Sequence, residues 1–249
     1  MLVLKKRNIL VVLAIIVISV IFGITLTGLY GEIASGKVFT LVIDAGHGGV
    51  DGGVIGVKTK TKESDINLSI SKKLENISRK ANFETIMTRK TADGLYGLAT
   101  RGFKARDMAK RKEIINNAGA DFVISIHQNK YSKSSRRGTQ VFYSKNGNKL
   151  TKNMAESMQN YINKELNVPT LNKSFAAQEG DFFIVKCSKI PTIIIECGFL
   201  SNEEDEKLLI DENYQNKLAN VIFSGLMSFI NEIYSQKLID INKDIVSAI

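Results

Sequence analysis

Two histidines and two glutamates are the residues of this chain whose types and placement favour chemistry. The 249 residues include only two histidines. His47 lies in a glycine-rich loop after the apolar run "LVIDA", and His127 ends the run "FVISIH". Glu196 follows three isoleucines in "IIIECGF", where a buried charge needs a partner or a function. A catalytic zinc site takes three protein ligands, and two imidazoles with one carboxylate complete that number.

Glu63 is a second candidate carboxylate, because it opens the segment "ESDINLS" after the glycine loop. An acidic residue at the start of a helix is also explained by the helix macrodipole alone. These residues by themselves therefore leave open whether Glu63 or Glu196 would be the third ligand. The remaining carboxylate would then act as a base on the attacking water.

The order of elements predicts an α/β fold. Apolar runs typical of strands cover residues 38–45, 83–89, 121–129, 138–144, 181–186 and 192–199. Helical periodicity marks residues 63–81, 97–119, 150–166 and 215–234. Such alternation favours an open, mostly parallel twisted sheet with helices on both faces. Because the carboxyl ends of parallel strands lie at one edge, His47, His127 and Glu196 can converge there.

The first 36 residues are predicted to form a membrane anchor or signal segment. Three basic residues, at positions 5–7, precede an uncharged and mostly aliphatic stretch, 8–31. This stretch is longer than the apolar region of about 7–15 residues in a cleaved signal, and a membrane span needs about 20. An uncleaved anchor is therefore favoured, with its N-terminus in the cytoplasm. Residues 37–249 then form a catalytic domain that is extracytoplasmic, either membrane-anchored or secreted.

Charge and cysteine content narrow the range of partners. The net charge of +9 is spread over several segments and is densest in "KYSKSSRRG", 130–138. No stacking aromatic residues or recognised binding module accompany it, so nucleic acid is not an expected partner. Anionic wall polymers or a lipid surface fit better, although a solvated loop explains the segment equally well. Cys187 and Cys197 are expected to pack as small apolar residues without a disulfide.

Five motifs in order resemble those of a known family. They are "VIDAGHGGVDGG", "KESDINLSIS", "MTR", "FVISIHQN" and "PTIIIECGFLSN". Together they are similar to the zinc-dependent N-acetylmuramoyl-L-alanine amidases of the Amidase_3 type, over about residues 40–230. The resemblance implies that His47, Glu63 and His127 bind Zn²⁺ and that Glu196 is catalytic. It also implies hydrolysis of the amide that joins N-acetylmuramic acid to L-alanine in peptidoglycan.

The arrangement of a short N-terminal segment before a bare catalytic domain is similar to the CwlD-like spore-cortex type within that family. That type acts in forming the muramic-δ-lactam of the cortex, and a protein activator is left open. Arg89 and Asn129 are expected either to contact the substrate or to support the structure. The alternatives are a vegetative autolysin, a zinc metallopeptidase and a non-catalytic, zinc-stabilised wall-binding protein. The intact Glu196 argues against the last of these.

Overall fold

The computed structural model describes residues 38–247. The N-terminal segment 1–36, predicted as an anchor, lies outside the described residues. Among residues 38–247, no helix combines the length and the apolar character that crossing a membrane requires. The compact unit that carries the sheet extends over Phe39–Gln236.

A six-stranded sheet forms the centre of the fold, with the strand order β2-β1-β3-β6-β4-β5. Its strands are β1 (Thr40–Ala45), β2 (Glu84–Met87), β3 (Phe122–Asn129), β4 (Gln140–Ser144), β5 (Gln178–Gly180) and β6 (Thr192–Phe199). Strands β1, β3 and β6 are runs of β-branched and aliphatic residues that are buried along most of their length. Such continuous apolar runs are typical of strands covered on both faces.

Four of the five strand pairings are parallel, as expected, but the sheet is mixed because one pairing is antiparallel. Strands β2, β1, β3 and β6 are parallel to one another. Strand β4 pairs antiparallel with β6, and β5 runs parallel to β4. A parallel return requires a crossover of a dozen or more residues, usually helical. The connection 130–139 between β3 and β4 contains no helix, so the chain comes back in the opposite direction.

The described part of the chain contains seven α-helices. They are α1 (Glu63–Lys80), α2 (Phe103–Asn117), α3 (Lys149–Ile162), α4 (Val168–Leu171), α5 (Phe183–Lys186), α6 (Glu203–Ile210) and α7 (Glu212–Ser247), and a π-helical turn (Asn163–Asn167) follows α3. The predicted helix 97–119 begins only at Phe103, because its first six residues form a loop. Helix α7 begins three residues before the predicted start and extends through the tail as far as Ser247.

The prediction of a strand at 181–186 was wrong, because this segment contains helix α5. Ile184 and Val185 are buried in a cluster with Val42, Val123 and Ile194, so the segment packs on a face of the sheet. The edge position is taken instead by β5, three residues earlier. An apolar run this short does not distinguish a strand from a buried helical turn by periodicity.

The core consists of two apolar clusters, one for each face of the sheet. Leu41 and Ile43 of β1 belong to the larger cluster, which includes residues of α1, α3 and α7. Val42, between them in the sequence, belongs to the smaller cluster with residues of α2 and α5. Because successive side chains of a strand point to opposite faces, this division confirms that helices cover both faces.

Candidate active site

The glycine-rich loop between β1 and α1 holds His47 in an uncommon backbone conformation. His47 has a φ of 59°, and the two residues after it, Gly48 and Gly49, also have positive φ. The guanidinium of Arg111 donates to the carbonyl oxygen of His47 at 2.6 Å and so restrains the backbone of the loop. Asp51 Oδ2 lies 3.0 Å from His47 Nδ1. The loop backbone and Asp51 together direct the other ring nitrogen, Nε2, towards Glu63.

Glu63 lies at the first position of α1, and only 1% of it is exposed. Its Oε2 accepts a hydrogen bond from the backbone N–H of Val54 at 2.8 Å. Its Oε1 accepts one from the backbone N–H of Gln128 at 3.0 Å. The same Oε1 lies 2.9 Å from His127 Nδ1 and 3.3 Å from His47 Nε2. The structure therefore brings three of the residues singled out in the sequence to one point.

Two glycines make room for this arrangement. A Cβ at Gly46 would lie 2.3 Å from the imidazole of His127, and a Cβ at Gly53 would lie 2.4 Å from Glu63 Oε2. Both separations are far below van der Waals contact, so only glycine fits without moving a side chain of the site. Gly53 also has a φ of +68°, which glycine adopts without strain.

The donor atoms of His47, Glu63 and His127 fit a divalent metal. One ligand atom from each lies within 4.8 Å of the other two. Ligands about 2.0–2.1 Å from a tetrahedral zinc ion lie about 3.4 Å from one another, close to the 2.9 and 3.3 Å seen here. Two imidazole nitrogens and one carboxylate oxygen are the donor set of open zinc sites that keep a position for water.

Electrostatics hold these three groups together. Burial would raise the pKa of Glu63, but hydrogen bonds and charge from His127 and His47 hold it far below its usual value. Burial would lower the pKa of His47, but the carboxylates of Glu63 and Asp51 raise it above its usual value. Glu63 therefore stays ionised, as a metal-binding carboxylate must be.

Glu196 lies directly beside His127, because the two residues are paired in register between β3 and β6. Only 9% of Glu196 is exposed, and within the described part of the chain its Oε2 has no hydrogen-bond partner. Burial raises the pKa of Glu196 to about 7; the charge of Glu63 adds to this effect, and that of His127 opposes it. A buried carboxyl group with a pKa near neutrality is typical of a general base.

A cleft of about 670 Å³ contains the four residues. This volume is within the range typical of small-molecule binding sites. Its lining also includes Phe182 and Phe183, which are exposed by 41% and 46%, and the lysines Lys104 and Lys130. Lys130 opens the basic stretch 130–138, so part of that stretch faces the cleft.

A buried ion pair beneath the site was not identified from the sequence. Asp44 accepts hydrogen bonds from Arg111 at 2.6 Å, from Ser125 at 2.6 Å and from Thr88 at 2.8 Å. Burial would raise the pKa of Asp44, but Arg111 and these hydroxyl groups lower it to about 2. The signal was present in "LVIDA", where a carboxylate ends a buried run just as Glu196 does.

The two residues whose roles were open have mainly structural contacts. Arg89 is buried and donates to the carbonyl oxygens of Ala45, Gly46 and Ser64. It therefore fixes the glycine loop from within. The side chain of Asn129 accepts from the backbone N–H of Lys130 at 2.7 Å.

The cysteines agree with the sequence prediction, whereas the role of Asp51 was not predicted. Cys187 and Cys197 are both free, as expected. Asp51 was not singled out, although its spacing of four residues from His47 is visible in "HGGVD". In a glycine-rich loop that spacing does not reveal whether the two side chains meet.

Comparison with known families finds one match that spans most of the chain. The profile of the Amidase_3 family, described as N-acetylmuramoyl-L-alanine amidase, matches residues 41–228. All four residues of the site lie within this range.

Individual relatives agree with this match. The germination-specific N-acetylmuramoyl-L-alanine amidase of Bacillus subtilis is 32% identical over 203 residues, which cover 80% of this chain and 81% of that protein. The CwlD amidase from Clostridioides difficile, solved in complex with the GerS lipoprotein, superposes with a TM-score of 0.72 at 35% identity, over 78% of this chain and 98% of that one. The catalytic domain of the amidase CwlV from Bacillus (Paenibacillus) polymyxa gives 0.66 at 28% identity, over 78% and 99%.

Proposed function

Because this chain belongs to the N-acetylmuramoyl-L-alanine amidase family, we propose that it hydrolyses peptidoglycan with Zn²⁺ held by His47, Glu63 and His127. The bond cleaved is the amide between the lactyl group of N-acetylmuramic acid and the L-alanine of the stem peptide. The observation that carries this proposal is the convergence of three ligand atoms beside Glu196, whose buried Oε2 has no hydrogen-bond partner within the described residues.

Different residues of the protein orient and supply the ligand atoms for the ion. Asp51 accepts the Nδ1 proton of His47, which leaves Nε2 as the electron-pair donor. Glu63 presents a carboxylate held by two backbone N–H groups. When bound, Zn²⁺ supplies Lewis-acid polarisation of the scissile carbonyl and makes water more acidic.

Glu196 is the proposed general base and acid. Its carboxylate takes a proton from the water that attacks the lactyl carbonyl carbon. It then gives this proton to the amide nitrogen as the carbon–nitrogen bond breaks. The products are the free lactyl carboxylate and a stem peptide with a free α-amino group. A pKa near neutrality allows one carboxyl group to accept and return a proton.

The physiological setting that we propose is the spore cortex. The germination-specific name of the B. subtilis relative and the likeness to the CwlD amidase support it. That solved relative is in complex with a lipoprotein, so a protein partner is part of the proposal for this chain as well. Residues 1–36 would hold the catalytic domain outside the cytoplasmic membrane, where peptidoglycan lies.

Digestion of purified peptidoglycan tests the reaction. Mass spectrometry should find free stem peptides that begin with L-alanine, in a reaction that a zinc chelator stops. Cleavage only within the peptide would instead indicate a metallopeptidase, and wall binding without cleavage would indicate the non-catalytic alternative. Loss of muramic-δ-lactam from spores of a deletion strain would support the cortex role over a vegetative one.

A further inference from the structure

We propose that Asn67 is a positioning residue that joins the three chain segments carrying the proposed metal ligands, and thereby sets the affinity of the site for Zn²⁺. This inference rests on the metal site of the proposed function. It concerns a residue of α1 that lies one helical turn after Glu63 and is fully buried.

Asn67 makes a hydrogen bond to each of the three segments. Its Nδ2 donates to the carbonyl oxygen of Gly46 at 3.1 Å and to Glu63 Oε1 at 3.3 Å. Its Oδ1 accepts from Gln128 Nε2 at 3.0 Å. Gly46 immediately precedes His47, and Gln128 immediately follows His127. One side-chain amide therefore contacts the loop of the first histidine, the carboxylate ligand and the strand of the second histidine.

The chemistry of the amide group explains why asparagine suits this position. The Nδ2 atom carries two hydrogens, which serve two acceptors, while Oδ1 serves one donor. A carboxylate of the same shape has no hydrogen to donate, and an apolar side chain would satisfy none of the three groups. Burying the amide is tolerated because all three of these bonds are made.

The fold has other means of holding these segments roughly in place. Helix α1 docks on the sheet through Ile66, Ile70 and Leu74, which are buried in the larger core cluster. The carbonyl oxygen of Gly46 also accepts from Arg89 at 2.9 Å. Removing Asn67 should therefore leave α1 docked but loosen the mutual positions of the ligand atoms. Metal affinity responds to such loosening more than stability does, because a zinc site requires its ligands at fixed distances.

Ser71 provides a matched control on the same helix. It lies one turn beyond Asn67 and is also fully buried. Its Oγ has no hydrogen-bond partner within the described residues. Ser71→Ala therefore removes a buried polar atom from the same face of α1 without touching the ligand segments.

The test measures zinc affinity independently of catalysis. The full chain in detergent, as wild type, Asn67→Ala, Asn67→Ser and Ser71→Ala, is titrated with Zn²⁺ against a chromogenic chelator at constant pH. The melting temperature of each protein without zinc is measured alongside. We expect the Kd for zinc to rise by about 10–100-fold in both Asn67 variants and to stay at the wild-type value in Ser71→Ala. If the Asn67→Ala variant does not fold, the Asn67→Ser variant still tests the inference, because its short hydroxyl group cannot reach all three partners.

Two results would overturn the inference. One is wild-type zinc affinity in a folded Asn67 variant whose melting temperature has fallen, because the amide would then serve stability alone. The other is an equal loss of affinity in Ser71→Ala. A wild-type protein that binds no zinc would overturn the proposed metal site itself, which is a different result from equal affinities among the variants.

Discussion

Replacing Gly46 with alanine should push His127 out of the proposed ligand set. The added Cβ would lie 2.3 Å from both Cε1 and Nε2 of the His127 imidazole. Ordinary van der Waals contact begins at about 3.4 Å, so the ring must retreat by about 1 Å. A zinc–nitrogen bond of about 2.0–2.1 Å does not tolerate a displacement of this size. We expect the zinc Kd to rise by more than about 100-fold. This is a larger effect than the loss of affinity that follows when only a residue supporting a metal ligand is replaced.

The stability of the Gly46→Ala variant should change much less than its metal binding. The φ of Gly46 is not among the positive values, so the backbone accepts alanine. Overpacking of this kind costs about 1–3 kcal/mol. Zinc content after dialysis, zinc Kd and turnover of peptidoglycan would be measured together with the melting temperature. Gly52→Ala is the matched control in the same loop, since the three atoms nearest to its Cβ all belong to the flexible side chain of Lys62, the closest at 3.2 Å. Wild-type zinc affinity and turnover in folded Gly46→Ala would refute the reasoning.

Three further predictions concern the base, the buried ion pair and the wall of the cleft. Glu196→Gln should keep its zinc and its fold but lose about 10²-fold or more in kcat, whereas Glu63→Ala should lose both zinc and activity. If zinc analysis and turnover show that Glu196→Gln loses the metal while Glu63→Ala keeps it, the two roles are reversed. The pKa of Asp44 falls from 3.8 to about 2 on folding, which corresponds to about 2 kcal/mol of stabilisation. This stabilisation is present above pH 4 and is lost as the pH falls towards 2. Urea unfolding between pH 5 and 2 should therefore show a smaller pH dependence in Asp44→Asn, and equal slopes would contradict the pairing with Arg111. Phe183→Ala should raise KM for peptidoglycan several-fold with little change in kcat, since about 1 kcal/mol of apolar contact would be lost from a half-exposed ring; an unchanged KM would place the substrate elsewhere.

The strands and helices with strong local patterns could be predicted from the sequence. Strands β1, β3 and β6 contain mostly apolar runs, and α1 repeats its apolar residues at helical spacing. Both patterns arise from burial within one element, so they are visible without knowledge of the partner. The same reasoning located His47, His127 and Glu196, because each is a polar group next to a buried run. The proposed anchor, residues 1–36, stays a prediction from charge and hydropathy.

The direction of β4 and the nature of 181–186 could not be predicted in this way. Both depend on which strand lies alongside, and that choice is made by contacts between residues far apart in the chain. Strand β4 pairs with β6 although some 50 residues separate them. Ile184 and Val185 pack against strands β1, β3 and β6 rather than pairing at the edge of the sheet.

The residue types and their neighbours in the chain indicate which side chains are suited to catalysis or metal binding, whereas long-range packing selects those that meet. From the residues alone, Glu63 was explained as well by the helix dipole as by metal binding. In the structure it lies within 3.3 Å of both histidines. Asn67 and Arg111 were not identified from the sequence, because the contacts that connect them to the segments of the site span 21 to 67 residues of the chain. A hydrogen bond of that span forms only after the segments have packed, so its existence is a property of the fold rather than of any stretch of sequence.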